Sequence, residues 1–287
     1  MKNRHFWINT LICLTSIVLA IITIIGVQSF DLGNSFFVSN IYGQSVELFG
    51  SGIYFYDSYF KAPIFMGSDF TMLVVIIPIL IGTLIWYNIK PNNPIRLFLT
   101  ALMGVVFYYA ISISTGVTYN NLFLLYILLV IVSWISIFVL FRDLNTENLA
   151  LHEKVKGYKI FLIITGIALF SIWLMDIIPA LLNNTTLLTI ENYTTEVTYV
   201  YDMAFISPIM FLSYYLIQKK DGLGTVLLAC MLVLCTLMGI MLPIQTIFQS
   251  LAHIVIPMPV LIIKVGIFVL LACFSAILAL KLFKSIK

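Results

Sequence analysis

Long apolar runs recur along the chain, and each is about as long as a bilayer is thick. A helix rises about 1.5 Å per residue, so about 20 apolar residues are needed to cross the hydrocarbon core. The eight predicted helices are Phe6–Val27, Asp69–Trp86, Leu97–Ser114, Leu122–Phe141, Tyr158–Leu181, Tyr199–Ile217, Leu223–Phe248 and Pro259–Phe283. The sequence therefore predicts an all-α fold, a polytopic transmembrane helical bundle that forms a single domain over residues 1–287.

The composition agrees with a chain whose partner is the lipid bilayer. Of its residues 62% are hydrophobic and 9% are charged, whereas about a quarter of the residues of a soluble domain are charged. A soluble fold could not cover this much apolar surface. The first run follows Lys2 and Arg4, as in a signal peptide, but it is long enough to span and no clean cleavage site follows it. We therefore expect it to remain as the first helix.

Basic residues mark alternate ends of the predicted helices. With the amino terminus inside, the inner segments carry 13 of the 15 lysine and arginine residues. The outer loops carry only Lys61, and Lys264 lies within the eighth helix. Cytoplasmic loops of membrane proteins are enriched in lysine and arginine. The pattern predicts a multi-pass protein of the cell membrane with cytoplasmic amino and carboxyl termini.

The stretch Thr198–Gly224 shows the same polarity within one helix. It begins with Tyr199, Tyr201 and Asp202, continues through an apolar run, and ends on two lysines. An acidic, aromatic end and a basic end are thus separated by about the width of a bilayer. We expect polar chemistry to gather at the non-basic ends of the helices.

The predicted outer segment Gln28–Ser68 is too long for a simple connector and carries eleven aromatic residues. Within it, Ser45–Phe49 and Ile53–Tyr56 flank a Gly-Ser-Gly sequence, a pattern typical of a short β-hairpin. The aromatic residues could form a belt at the level of the lipid headgroups. They could instead cap the outer mouth of the bundle. The sequence favours the belt and leaves the extracytoplasmic cap open.

Four ionisable residues lie inside the predicted helices, where such residues are rare and often functional: Asp69, Asp176, Asp202 and Lys264. Asp69 and Asp202 begin their helices, where a carboxylate can cap free N–H groups, and capping explains both without a ligand. Asp176 and Lys264 lie about 7–8 Å below helix ends whose dipoles disfavour their charges. We predict that these two pair in a shared polar cavity, with a Lys264 that snorkels to the interface as the alternative.

Other polar and aromatic residues near the outer ends are candidates for the same ligand-binding pocket. Tyr119 and Asn120 lie in the predicted outer turn between helices three and four, and Trp173 and Tyr201 lie close in sequence to two of the aspartates. Each could also be a simple turn or interface residue. The inner halves of helices two, four and eight are almost wholly apolar. The pattern therefore predicts a pocket open to the outer side rather than a continuous polar pore.

Helices two and six share a proline that follows an aspartate. Pro78 lies nine residues after Asp69, and Pro208 lies six residues after Asp202. Matched proline-interrupted helices in the two halves of a chain often mark the binding site of a transporter. Because the two spacings differ, the sequence favours coincidence over a parallel repeat of two four-helix halves.

No motif names a reaction. The four cysteines lie inside apolar runs without a C-x-x-C pair, and we interpret them as buried packing residues rather than a redox or metal site. Neither H-E-x-x-H nor G-x-S-x-G occurs. We predict no catalytic residue, no metal ligand and no cofactor. The basic residues are spread over several inner loops, which does not favour nucleic-acid binding.

Several stretches resemble a family of uncharacterised prokaryotic polytopic membrane proteins. They are VELFGSGIYFYDS with MGSDFTMLVVIIP (46–58 and 66–78), YNNLFLLY (119–126), and DMAFISPIMF with KKDGLG (202–211 and 219–224). Helix eight and the 182–198 loop resemble the family less. The resemblance implies an eight-helix integral membrane protein and brings no known activity or cofactor.

Three classes of function remain open. The one-sided pocket favours a protein that binds a small ligand, lipid or peptide in an outward-facing polar pocket, with an accessory or sensor role. A small-molecule transporter or permease comes second, because proline-broken helices and outer carboxylates favour it and the apolar inner half opposes it. An intramembrane enzyme comes third, since paired carboxylates could do acid–base work but no catalytic motif supports it. The sequence predicts neither the ligand nor the oligomeric state.

Overall fold

The structure, a computed structural model, describes residues 2–151, 155–187 and 189–286. In these ranges eight helices are long and apolar enough to span a membrane, which confirms the predicted all-α bundle and makes the chain a multi-pass membrane protein. They are α1 (Lys2–Gln28), α2 (Ala62–Ile89), α3 (Asn93–Gly116), α4 (Phe123–Asp143), α5 (Lys156–Leu182), α6 (Val197–Gln218), α7 (Gly222–Leu251) and α8 (residues 258–285). Two short strands, β1 (Phe36–Ser39) and β2 (Ser45–Leu48), lie between α1 and α2.

The helices alternate in direction, so the bundle has two distinct ends. At the basic end, where α1 begins and α8 ends, Arg96 pairs with Asp143 at 3.1 Å and the ring of Phe98 meets that of Phe283. The opposite, capped end is covered by the capping segment (residues 29–61) and the closing loop (residues 183–187 and 189–196). Both chain termini therefore lie at the basic end.

The two four-helix halves have the same internal packing. In the first half, α1 packs on α2 and α4, and α3 packs on α2 and α4. In the second half, α5 packs on α6 and α8, and α7 packs on α6 and α8. Across the halves, α3 packs on α7, α2 on α7 and α3 on α6. This is the arrangement expected of two parallel repeats related by an axis between α3 and α7.

The proline helices α2 and α6 resemble each other more closely in structure than the spacing from aspartate to proline in their sequences suggests. A π-helical turn at Met72–Ile76 ends two residues before Pro78, and another at Asp202–Ile206 ends two residues before Pro208. Proline has no N–H to return to the preceding turn, and a π turn is a common local adjustment in membrane helices. Aligned on the prolines, the π turns coincide while the aspartates do not. Together with the matched helix packing, the aligned π turns favour a parallel repeat of two four-helix halves.

β1 and β2 form an antiparallel hairpin in which Phe36 lies opposite Leu48 and Ser39 opposite Ser45. The predicted hairpin is wrong in its second strand. Gly50 and Gly52 both have positive φ, at 75° and 56°, and they lead the chain into a 3₁₀ turn at Gly52–Tyr54. The chain returns alongside β2 only after this turn, where Leu48 and Ser58 form an isolated antiparallel bridge.

The capping segment is packed on the bundle. Phe49 and Tyr54 are buried in a small hydrophobic cluster with Ala62 and Met66 of α2. These rings therefore contact protein rather than lying in a free belt at the headgroup level.

Two of the cysteines are also placed differently from the prediction. Cys13 and Cys273 are exposed on the outside of the bundle, since they fall on helix faces turned away from neighbouring helices. Cys230 and Cys235 are partly buried, and all four are free thiols.

Candidate functional site

A cavity of about 440 Å³ lies between α2, α3, α5, α6, α7 and α8. Most of its wall is apolar, with side chains such as Leu169, Ile206 and Met238. Most of the described lining residues of each helix lie between its middle and its capped end. The cavity therefore lies towards the capped end, within the second repeat and bordered by α2 and α3 of the first.

Asp202 lies in the cavity wall and is held by two neutral donors. Its Oδ2 accepts a hydrogen bond from Trp173 Nε1 at 3.0 Å, and its Oδ1 accepts one from Tyr108 Oη at 3.0 Å. The capping explanation is wrong here, because α6 begins at Val197 and Asp202 is a buried residue of its second turn. Each carboxylate oxygen has two lone pairs, so both retain capacity for a further donor.

Asp69 does not cap a helix either. Pro63 occupies the first turn of α2, a favoured position for proline, and the helix begins seven residues earlier than predicted, at Ala62. Asp69 is fully buried and accepts hydrogen bonds from Tyr54 Oη at 2.5 Å and from Tyr109 Oη. It is not among the lining residues of the cavity. Its role in the structure is to tie the capping segment to α2 and α3.

Asp176 belongs to the cluster around Trp173. Tyr199 Oη donates a hydrogen bond to Asp176 at 2.7 Å, and the ring of Tyr199 stacks on that of Trp173 with centroids 4.3 Å apart. The side chain of Lys264 lies outside the described residues. The predicted pair between Asp176 and Lys264 therefore stays a prediction.

The remaining candidates lie away from the cavity. Tyr119 is 78% exposed. Asn120 is a turn residue whose Oδ1 accepts a hydrogen bond from the backbone N–H of Leu122 at 2.9 Å. Tyr201 Oη lies 2.6 Å from Thr115 Oγ1. None of these three predicted residues is among the lining residues.

Two adjacent tyrosines of α3 connect the aspartates of both halves. Tyr108 donates to Asp202 of α6, and Tyr109 donates to Asp69 of α2. Both tyrosines also line the cavity. Their signal in the sequence is a Tyr-Tyr pair inside the third apolar run, where a buried hydroxyl needs a partner. The sequence does not show which residue accepts each hydroxyl, because this depends on how the helices pack.

The capped end of the cavity is closed by an ion pair. Lys61 Nζ lies 2.7 Å from Glu196 Oε1 and 4.2 Å from the centroid of the Tyr193 ring. All three residues line the cavity, and the pair joins the capping segment to the closing loop. Lys61, the one cation that the sequence places in a predicted outer loop, is thus part of this closure.

Asp57 is a second junction between the two loops. It is completely buried, and it accepts hydrogen bonds from Tyr193 Oη at 2.8 Å and from the backbone N–H and hydroxyl of Thr118 at 2.9 and 3.0 Å. Burial raises the pKa of the Asp57 carboxyl to about 7, against the lowering effect of these hydrogen bonds and of the nearby Lys61 charge. Burial also raises the pKa of Glu191, which accepts a hydrogen bond from Ser58 Oγ.

The proline helices α2 and α6 are packed through glycines and through aromatic rings. A Cβ on Gly67 of α2 would lie 2.5 Å from Gln245 Cα of α7, and a Cβ on Gly26 of α1 would overlap the Asp69 carboxyl. In the second half, stacked rings of Trp173 and Tyr199 stand between α5 and α6. Close glycine contacts occur in the second half as well, where a Cβ on Gly166 of α5 would lie 3.0 Å from the Phe211 ring of α6.

Within the described residues, no three His, Cys, Asp or Glu side chains are grouped so that they could share a metal ion. No family model, curated protein or solved structure matches the chain, so the family resemblance of the sequence stretches stays a prediction.

Proposed function

We propose that this membrane protein binds a small amphipathic molecule in the cavity of its second half, in an accessory or sensor role. The observation that carries the proposal is a buried carboxyl in the wall of an otherwise apolar cavity of about 440 Å³, where Asp202 is held by Trp173 and Tyr108. Small-molecule sites typically have volumes of about 300–1,000 Å³, apolar walls and a few convergent polar groups.

The chemistry of the wall indicates the chemistry of the ligand. A carboxyl inside a membrane costs about 2.5–3.5 kcal/mol on insertion scales, so it is rarely retained without a role. The donors to Asp202 leave lone pairs on both oxygens. A hydroxyl or amine on the ligand would use them, while an apolar body would fill the space beside Leu169, Ile206 and Met238. A single polar head on an apolar body is the ligand class that this cavity supports.

The distribution of charge supports an orientation for the site. Nearly all the lysines and arginines outside the cavity closure belong to segments at the basic end. By the positive-inside rule this end is cytoplasmic and the capped end extracytoplasmic. The cavity therefore faces the outer side of the cell membrane in the proposed arrangement.

A thermal-shift screen of the purified protein tests the proposal. The panel contains amphipathic amines and alcohols, lipids, envelope precursors, hydrophobic peptides and amino acids. A ligand at a hundred times its Kd stabilises the folded state by about 2.7 kcal/mol. We expect at least one amphipathic compound to raise Tm, and we expect Asp202→Asn to weaken that shift.

The matched control is Asp221→Asn, which makes the same change at the start of α7, outside the cavity lining. This variant should keep the ligand-induced shift. A second variant, Met238→Trp, fills the cavity and should abolish the shift while leaving a cooperative melt. A shift that persists in both Asp202→Asn and Met238→Trp would refute binding in this cavity.

A transporter is the second candidate, and the matched proline helices favour it. In both halves a π-helical turn precedes Pro78 or Pro208 at the same distance, and irregular helices at equivalent positions are typical of transporter sites. The confinement of the cavity to the capped half favours binding. Uptake of the compound found in the screen into proteoliposomes, lost in Asp202→Asn, would establish transport instead.

A further inference from the structure

A shallow groove lies on the outside of the bundle at the basic end, between α5 and α6. It has a volume of about 600 Å³ and shares no lining residue with the cavity. Its main described lining residues are Lys156, Lys159, Ile160, Ile163, Ile164 and Tyr214.

The lining is layered by depth. Lys156 and Lys159 lie in the first turn of α5 and are three residues apart, so they are neighbours on one helix face. Ile160, Ile163 and Ile164 continue the groove over the next turns of the helix, within about 12 Å of its start. Cationic groups at the helix end with an apolar strip below them match the order of groups in a phospholipid.

The polar groups of the groove are available to a ligand. Neither Lys156 nor Lys159 forms a hydrogen bond or ion pair with any residue that the structure describes. The same holds for the Tyr214 hydroxyl within the described ranges. Lys61, by contrast, is engaged by Glu196. Two cations and a phenol, none of which has a partner among the described residues, therefore line the polar end of the groove.

We propose that this groove is a binding site for an anionic phospholipid. The lipid phosphate lies between the ammonium groups of Lys156 and Lys159 and accepts a hydrogen bond from Tyr214. One acyl chain lies along the strip that begins at Ile160. Basic residues beside a membrane attract anionic lipid, and basic pockets between membrane helices bind anionic headgroups. The site is separate from the cavity, because the two share no lining residue.

Native mass spectrometry of the full chain, titrated with phosphatidylglycerol or phosphatidylcholine, tests the proposal. We expect phosphatidylglycerol to bind more tightly than phosphatidylcholine of the same acyl length. In Lys156→Gln/Lys159→Gln the affinity for phosphatidylglycerol should fall about 30-fold, as expected from roughly a factor of five per lysine. Equal binding of the two lipids by the unaltered protein would overturn the proposal.

The control removes the same charge at the same end of the bundle. Lys219→Gln/Lys220→Gln changes two lysines that follow α6 and do not line the groove. Phosphatidylglycerol binding should be retained in this variant, and an equal loss in both double variants would show only general attraction to a basic surface. Glycerol 3-phosphate is the headgroup control, since it lacks the acyl chain. Binding of glycerol 3-phosphate as tight as that of the lipid would also refute a lipid site.

Discussion

Tyr54 shows that a single hydroxyl group can hold the capping segment on the helices. Its side chain descends from the capping segment and donates to Asp69, which is fully buried in α2. A buried acceptor that loses its donor cannot turn to water, so the loss costs more than an average surface hydrogen bond. Residues of this kind hold the covering loops on the helices.

We therefore expect Tyr54→Phe to destabilise the protein by about 1–3 kcal/mol, the cost of leaving a buried polar group unsatisfied. The measurement is thermal or denaturant unfolding of the purified protein. Tyr56→Phe is the matched control, because Tyr56 belongs to the same segment and is 58% exposed. Equal effects of the two substitutions would contradict a specific role for the Tyr54 hydroxyl.

Thr165 offers the opposite case. Its Oγ1 is buried in the cavity wall and has no hydrogen-bond partner among the described residues. Thr165→Val removes this hydroxyl at nearly constant volume, and we expect it to stabilise the ligand-free protein by about 1 kcal/mol. Unfolding of the two proteins without added ligand gives the comparison.

Thr225 provides the control for this prediction, since its hydroxyl is also buried without a described partner and does not line the cavity. Thr225→Val should raise stability by a similar amount. Only Thr165→Val should also change the thermal shift that a cavity ligand produces. A destabilised Thr165→Val would show that the hydroxyl is satisfied in the folded protein.

At the scale of elements, the capping segment and the closing loop are joined through buried carboxyls. Tyr193 of the closing loop donates to Asp57 of the capping segment, and Ser58 donates to Glu191. Burial raises the pKa of both carboxyls, that of Asp57 to about 7. The connection between the loops should therefore respond to pH.

The sign follows from the protons bound in each state. Between about pH 4 and pH 7 the folded protein keeps a proton on Asp57 that the unfolded chain has lost, so stability falls as pH rises through this window. The slope from one group is at most about 1.4 kcal/mol per pH unit. We expect Asp57→Asn to reduce the slope of Tm against pH and Glu191 to supply a residual slope of the same sign. An unchanged slope would mean that other groups carry the dependence.

The contact between the two halves at α2 and α7 depends on a glycine. A Cβ at Gly67 would lie 2.5 Å from the backbone of α7, which cannot move away without shifting the helix. We expect Gly67→Ala to destabilise the protein by about 1–3 kcal/mol, as overpacking does.

Gly104 is the matched control in α3, because a Cβ there would meet nothing within 4 Å. Gly104→Ala should be neutral or should stabilise the protein by up to about 1 kcal/mol, since alanine is the better helix former. Unfolding measurements on both variants decide the point. Equal effects would show that α2 and α7 are not in close contact.

The helices themselves were predictable from apolar runs, whereas their outer ends were not. Hydropathy records where the chain crosses hydrocarbon, but α2 continues for seven residues beyond the predicted start at Asp69. Pro63 was the one local sign of the earlier start. Because of this error, the fully buried Asp69 was predicted to cap the start of its helix. The partnership of Asp202 with Trp173 was outside the reach of sequence reasoning, because it depends on how α5 and α6 pack.

For the whole molecule, both termini lie at the basic end, and the orientation in the membrane can be measured directly. In a variant with all four cysteines replaced by serine, a single cysteine is introduced at Ile41, which is 83% exposed in the capping segment. We expect an impermeant thiol reagent added outside intact cells to label Ile41→Cys. The basic end should be labelled only after the cells are opened.

Ser285→Cys at the end of α8 is the control for the basic end. Labelling of Ser285→Cys but not of Ile41→Cys in intact cells would invert the orientation and place the cavity on the cytoplasmic side. The charge pattern of the sequence would then have failed as a guide, although the helix count and the packing of the halves would stand.

One turn of α3 donates hydrogen bonds to both Asp202 and Asp69, and it therefore links the cavity to the capping segment. Adjacent residues on a helix diverge by about 100°, so Tyr108 reaches one proline helix while Tyr109 reaches the other. A ligand that drew Tyr108 away from Asp202 would also displace the turn that places Tyr109 next to Asp69, to which Tyr54 donates. Occupation of the cavity would thus change how firmly the capping segment is held on the helices.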